Sequence, residues 1–227
     1  MAELILGIDD AGRGPVIGPM VLAGCLVTKE VEKELKELGV KDSKQLTPKR
    51  REFLANKIKA SAETFEIVLS KPIEIDDSLN NGTNLNVLEA NMAAKIINKI
   101  NKGYKKLNVV IDCPSVSLEK WKSLLMTKIK NLQNLEISCE HKADKNHISV
   151  SAASILAKSV REKEMDKLKE IYGQEIGSGY TSDPSTCKFL EKHAIKHQDA
   201  GIFRKTWATW KNAFSKNQQR TLTNYKS

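Results

Sequence analysis

Asp9 and Asp10 stand side by side near the start of the chain, after the apolar run Leu4–Ile8 and before Gly12-Arg13-Gly14-Pro15. Two further aspartates occupy comparable places. Asp112 closes the run Val109–Ile111, and Asp144 comes after a stretch in which Leu135, Ile137 and Cys139 alternate with polar residues. Strands of one sheet set their ends side by side, so carboxylates delivered by three strand ends can converge. Uncompensated, they would repel strongly. An all-oxygen set of this kind suits Mg²⁺ or Mn²⁺, with positions left for water and phosphate oxygens. Two such ions about 3.5–4 Å apart can activate a water and stabilise a leaving oxygen, which phosphodiester hydrolysis requires. Taken singly, each aspartate reads more readily as a turn residue; the recurrence on three strands is what raises the metal reading.

Neighbouring side chains on a strand face opposite ways. The pair Asp9-Asp10 is therefore expected to serve one site only if the chain leaves strand geometry there, and Gly12 and Gly14 permit that. The loop they form lacks the spacing of a P-loop, and no G-x-G-x-x-G is present after it, so nucleotide-cofactor readings fail. His193 and His197 lie four apart on a predicted helix but lack the zincin glutamate, and read as surface residues. His147, three residues after Asp144, can be imagined reaching a phosphate; a solvated loop histidine is the plainer reading. No serine sits in a nucleophile elbow.

The elements that must position these residues alternate between strand and helix. Met20–Val27 reads as a second strand, a hairpin partner of the first; Phe65, Ile67 and Leu69 mark a third. Helical spacing appears at Val31/Leu35/Leu38, at Leu85/Leu88/Met92/Ile96/Ile100 and at Leu118/Trp121/Leu125/Ile129/Leu132. Thr47-Pro48 and Asp183-Pro184 are helix starts. Lys49, Arg50 and Arg51 in a first turn oppose the helix dipole, either as a solvated basic turn or as a phosphate contact. From about Ser149 a helix opens on small residues that allow close approach to the sheet. The expected architecture is α/β, with a first domain over 1–175 and a C-terminal helical extension with a basic tail over 176–227 packed on the same body.

The chain has 227 residues, 40% hydrophobic and 29% charged, with a formal charge of +9. That is enough for one substantial core, and the basic balance is compatible with a polyanionic partner. No apolar run approaches the roughly 18 residues of a membrane span. The start of the chain has no basic region ahead of its apolar stretch, so a signal peptide is not expected. Cys25, Cys113, Cys139 and Cys187 share no metal-ligand spacing and read as small hydrophobes. From Phe203 to Ser227 there are six Lys/Arg and no Asp/Glu, interleaved with Trp207, Trp210, Phe214 and Tyr225. Such a segment fits nucleic-acid contact, although the tryptophans also suit packing of a C-terminal helix.

Six stretches occur in order: Gly7-Ile-Asp-Asp-Ala-Gly-Arg-Gly-Pro-Val-Ile-Gly-Pro19, Lys41-Asp-Ser-Lys44, Val110-Ile-Asp112, His141-Lys-Ala-Asp144, Val150-Ser-Ala-Ala-Ser-Ile-Leu-Ala-Lys158 and Gly177-Ser-Gly-Tyr180. Together they resemble the type 2 ribonucleases H, in an archaeal-like form, over nearly the whole chain. The resemblance implies an RNase H-like mixed five-stranded sheet flanked by helices. It implies endonucleolytic cleavage of the RNA strand of RNA–DNA hybrids, and 5′ of single ribonucleotides in duplex DNA, leaving 5′-phosphate and 3′-hydroxyl ends. By position, Asp9, Asp10, Asp112 and Asp144 match the family's metal-binding carboxylates. Gly12, Arg13 and Gly14 match the loop that reads the 2′-hydroxyl, Tyr180 matches a tyrosine that stacks at the ribonucleotide–deoxyribonucleotide junction, and Ser43, Lys44 and Lys142 match phosphate-contacting positions. The expected cofactors are two Mg²⁺ or Mn²⁺ ions, the expected partner nucleic acid rather than membrane, the expected place the cytoplasm, and the default state a monomer; a contact with a replication sliding clamp is left open.

Position 10 departs from the pattern, being Asp where the family has Glu. The side chain is shorter by about one C–C bond, which predicts a weakened or displaced metal position and lower turnover. Thr181 stands where proline is usual, and Lys145-Asn146-His147 also differs; neither touches an expected ligand. Two alternatives stand beside the main reading: a hybrid-binding protein weak in catalysis, and another nuclease of this fold such as a junction resolvase.

Overall fold

The structure is a computed structural model that describes residues 3–40, 46–103 and 105–224, with side chains to 219. It contains a mixed sheet of five strands: β1 (Leu4–Ala11), β2 (Met20–Thr28), β3 (Thr64–Ser70), β4 (Leu107–Asp112) and β5 (Leu135–Glu140), in the order β3-β2-β1-β4-β5. β1 runs antiparallel to β2 and parallel to β4, and β4 runs parallel to β5. The carboxyl ends of β1, β4 and β5 therefore lie along one edge, the usual place for a site in such a sheet.

Helices α1 (Lys29–Glu37), α2 (Pro48–Ser61), α3 (Pro72–Asn80), α4 (Leu85–Ile100), α5 (Leu118–Met126), α6 (Ala143–Asn146), α7 (Ile148–Tyr172), α8 (Pro184–His193) and α9 (Ala208–Asn224) complete the described elements, with one 3₁₀ turn at Gln174–Ile176. The expected starts hold: Thr47 caps α2 by accepting from Arg50 N–H at 3.3 Å, and Asp183 caps α8 through Ser185 N–H at 2.9 Å. Helix α3 is an addition. Pro72 stands at its start, Glu74 accepts from the Lys71 N–H at 2.7 Å, and Pro72, Ile75 and Asp76 are its buried residues.

The chain forms two compact units. The first holds Met1–Ala11, Val21–Leu69 and Leu85–Val160; the second holds Gly12–Met20, Ser70–Asn84 and Arg161–Ser227. Helix α7 passes from one unit to the other, and two short upstream segments join the second.

In the first unit one face of the sheet (Val21, Ala23, Cys25, Val27) packs on Leu35 of α1, on Leu54, Ala55 and Ile58 of α2, and on Ala152–Ala157 of α7. The approach of α7 is close. A Cβ at Gly7 would lie 2.1 Å from the Ser149 backbone, so glycine there is what lets the opening of α7 reach β1. The second unit has its own core of Val16, Ile17, Met165, Ile176, Phe189, Leu190, Ile202, Phe203 and Trp210. Trp210, buried in this core, fixes α9 there. All four cysteines are free thiols, and burial raises Cys25 to about 12. Among the described residues no helix is long and apolar enough to cross a membrane.

Candidate active site

In the first unit the register of β1 on β4 sets Ile8 opposite Ile111, so the next residues, Asp9 within β1 and Asp112 at the end of β4, stand side by side. Asp144 arrives from beyond β5. Lys142 adopts the left-handed conformation, φ 57° and ψ 37°, which turns the chain sharply after the strand. A non-glycine residue there costs on the order of 1–2 kcal/mol. The backbone just past this turn is tied down at two points: the Ala143 N–H donates to Asp112 Oδ1 at 3.2 Å, and the Ser151 hydroxyl of α7 donates to the Asp144 carbonyl. Asp9, Asp112 and Asp144 each bring an oxygen within 4.8 Å of the others, with Asp9 and Asp144 buried.

Asp10 takes a different place. β1 continues through Asp10, paired with Leu22, to Ala11. The expectation that the chain leaves strand geometry at the pair is corrected. The ladder to β2 runs through both Asp9 and Asp10, and among the described residues only Asp9 of the two belongs to the group of three. Asp10 still lines the narrow cleft that holds Asp9 and Asp112, together with Glu89, Trp121 and Pro114. Glu89, 1% exposed on α4, is a further carboxylate there. Its sequence signal was an acid set on the apolar stripe, four residues after Leu85 and three before Met92.

Burial raises the Asp9 carboxyl well above its ordinary value, with the charges of Asp10 and Asp112 acting the same way against a hydrogen bond from Ser154. Carboxylates crowded in a dry site favour their protonated forms until a cation balances them. The donor set thus fits a hard divalent ion: three carboxylate oxygens within 4.8 Å of one another, with no nitrogen or sulfur among them.

In the second unit the stretch Gly177–Tyr180 is bound to the segment after the Gly12-Arg13-Gly14 loop. The Gly179 carbonyl accepts from Val16 N–H at 2.9 Å and Ile17 N–H at 3.2 Å. Asp183 Oδ2 accepts from Ser178 N–H at 2.7 Å, a bond that holds its carboxyl below the ordinary range. Tyr180, 38% exposed, lies against the Arg161 guanidinium at 4.8 Å. Arg161, 7% exposed, donates to the Ser178 carbonyl at 2.9 Å. Gly12 sits over the same side chain: φ is +83°, and a Cβ would meet Arg161 Nε at 2.4 Å. Arg161 therefore touches both the loop and the tyrosine, a role with no signal in a helix of many Lys and Glu.

Lys142 is exposed at the αL turn, while Ser43 and Lys44 lie outside the described residues. Of the basic first turn of α2, Arg50 donates to the Leu38 carbonyl at 2.7 Å and Arg51, 7% exposed, to the Leu46 carbonyl at 2.8 Å. Arg51 is thus taken up in packing, while Lys49 and Arg50 are exposed. His147 pairs with Glu140 at 2.9 Å along a separate groove of about 780 Å³ over β4 and β5. His197 stacks on Phe189 at 6.2 Å and meets Tyr172 edge-on at 5.1 Å, His193 lies tilted against Phe189 at 4.9 Å, and among the described residues neither belongs to a group of three potential metal ligands.

The model of the ribonuclease HII family matches residues 6–210. A curated ribonuclease HII of Methanocaldococcus jannaschii is 42% identical over 231 aligned positions, covering 96% of this chain and 98% of that one. Among solved structures, the ribonuclease H2 of Pyrococcus horikoshii superposes with a TM-score of 0.84 at 36% identity, covering 95% of this chain and 99% of that one. The RNase HII in a PCNA:RNase HII complex from Archaeoglobus fulgidus does so with 0.80 at 35% identity, covering 92% and 96%. With an acidic cleft fit for a divalent ion and agreement along almost its full length, the chain belongs to the ribonuclease HII family of metal-dependent RNase H endonucleases.

Proposed function

We propose that this protein cuts RNA–DNA hybrids and the 5′ side of single ribonucleotides in duplex DNA, leaving 5′-phosphate and 3′-hydroxyl ends. The observation that carries the reading is the convergence of Asp9, Asp112 and Asp144 within 4.8 Å. These three, with Asp10 from the same cleft, would hold Mg²⁺ or Mn²⁺, and two such ions supply an activated water and charge stabilisation at the scissile phosphate. The chain's own groups do the rest. Gly12, Arg13 and Gly14 meet the ribose through backbone groups, since the 2′-hydroxyl is what distinguishes RNA from DNA at a site. Tyr180 stacks on the sugar–base step beyond, and Ser43, Lys44 and Lys142 contact phosphates. The formal charge of +9 favours the polyanion at long range. The protein acts as a monomer, and the PCNA complex of the Archaeoglobus fulgidus relative supports a sliding-clamp contact.

The test is cleavage of a labelled DNA duplex with one ribonucleotide, in Mg²⁺ and in Mn²⁺. A single cut 5′ of the ribonucleotide with a 3′-hydroxyl product is expected. Binding without cutting under either metal would favour a hybrid-binding protein, and cutting of an intact four-way junction in preference would favour a resolvase.

A further inference from the structure

Arg204 heads the fully buried large side chains of the molecule, at 0% exposure. A guanidinium sealed from water needs acceptors for its fan of donors, and Arg204 finds them in one loop. Its Nε donates to the Gly18 carbonyl at 3.1 Å, Nη1 to the Arg13 carbonyl at 2.7 Å, and Nη2 to the carbonyls of Gly12 and Gly18. The guanidinium lies 5.0 Å from the Trp207 ring, whose Nε1–H donates to the Gly14 carbonyl at 3.1 Å. Three consecutive carbonyls, of Gly12, Arg13 and Gly14, thus turn toward one segment. That segment is itself anchored, because Asp76 accepts from Lys205 N–H at 2.6 Å and Thr206 N–H at 3.0 Å.

The C=O and N–H of a planar trans peptide point in opposite directions. With the Gly12 and Arg13 carbonyls aimed at Arg204, the N–H groups of Arg13 and Gly14, at the far ends of the same two peptides, aim away from it. The third peptide ends in Pro15 and carries no donor. A Cβ added at Gly14 would meet nothing within 4 Å, so a ligand can approach that backbone closely.

The geometry points to Arg204, assisted by Trp207, as the positioning residue for recognition of the ribose: it grips the loop by its carbonyls so that the Arg13 and Gly14 amides are held outward as a fixed donor pair for the 2′-hydroxyl. This rests on the proposed function, in which the Gly12–Gly14 loop meets that hydroxyl. A loop held by a buried charge cannot turn its donors inward, and preorganised donors lose little on binding.

The test measures, in metal-free buffer, the affinities for two DNA duplexes that differ by one 2′-hydroxyl, using the unaltered protein, Arg204→Lys and Trp207→Phe. Lysine keeps the charge without the fork; phenylalanine keeps the ring without the N–H. The ratio of the two affinities is expected to fall about tenfold in Arg204→Lys and about threefold in Trp207→Phe, the scale of one charged and one neutral hydrogen bond. Affinity for the all-DNA duplex should not move, which a general loss of structure would not spare. If the unaltered protein discriminates and both variants do so equally well, the proposal is overturned and Arg204 is a packing residue only. If the unaltered protein does not discriminate, the ribose-reading role of the loop falls, and the proposal with it. Should Arg204→Lys fail to fold, Trp207→Phe decides alone.

Discussion

The backbone N–H of Asp10 donates to Asp9 Oδ1 at 2.7 Å. One acid of the pair thereby helps to orient the other, while its own carboxylate lines the same cleft without belonging to the group formed by Asp9, Asp112 and Asp144. Reach is what Asp10 lacks. Asp10→Glu adds one methylene and is expected to raise kcat on a single-ribonucleotide duplex about tenfold, worth about 1.4 kcal/mol in the barrier, with the larger gain in Mg²⁺. A Glu variant no faster than the native protein in either metal would show that the shorter acid costs nothing.

The raised Asp9 carboxyl makes stability depend on pH in a definite sense. The folded protein binds this proton more tightly than the unfolded chain, so stability falls as pH rises from the ordinary aspartate value toward the folded one. Above that window the metal-free protein carries the full penalty. Asp9→Asn removes it: at pH 7 its melting temperature without metal should exceed the native one, by about 2–4 °C for each kcal/mol relieved, and the two should converge near pH 4. Mg²⁺ should stabilise the native protein and not the variant, which should be inactive. Thermal melts across pH with and without Mg²⁺ check all three points.

Lys142 joins strain and charge in one residue, and two substitutions separate them. Lys142→Gly and Lys142→Ala both delete the cation, so both should lower duplex affinity and reduce the slope of log K against log salt by about 1. Only glycine is at ease at φ 57°, so Lys142→Gly should be more stable than Lys142→Ala by about 1 kcal/mol. Denaturant titration and salt-dependent binding give both quantities.

How far the chain could be read without its fold is clearest at α2. Thr47-Pro48 announced the helix start, because capping is local chemistry. Whether Arg50 and Arg51 face phosphate or protein was not legible, since their acceptors are the carbonyls of Leu38 and Leu46, both outside the helix. The strands and the acids at their ends were legible because apolar runs and their breaks are local too. The length of β1 was not: its last residues are fixed by the ladder to β2. Arg204 marks the limit, for its acceptors lie 186 to 192 residues away. Arg51→Ala is accordingly expected to lower stability by about 2 kcal/mol through lost buried hydrogen bonds while leaving the salt slope of binding unchanged. A shallower slope in that variant would restore the phosphate reading.

Glu89 offers the most direct probe of how the acidic cleft holds its ion. It sits on α4, 1% exposed, in the cleft that also holds Asp9, Asp10 and Asp112. A buried carboxylate beside others carries a charge the protein would rather neutralise, and a divalent cation does that for all of them together. Its value to the site therefore lies in the cation's affinity more than in the chemical step. Glu89→Gln keeps the shape and removes the charge. The Mg²⁺ concentration for half-maximal cleavage should rise several-fold, on the order of 1 kcal/mol, while the rate at saturating Mg²⁺ stays within about twofold. A lost saturated rate with unchanged Mg²⁺ dependence would place Glu89 in the chemical step instead.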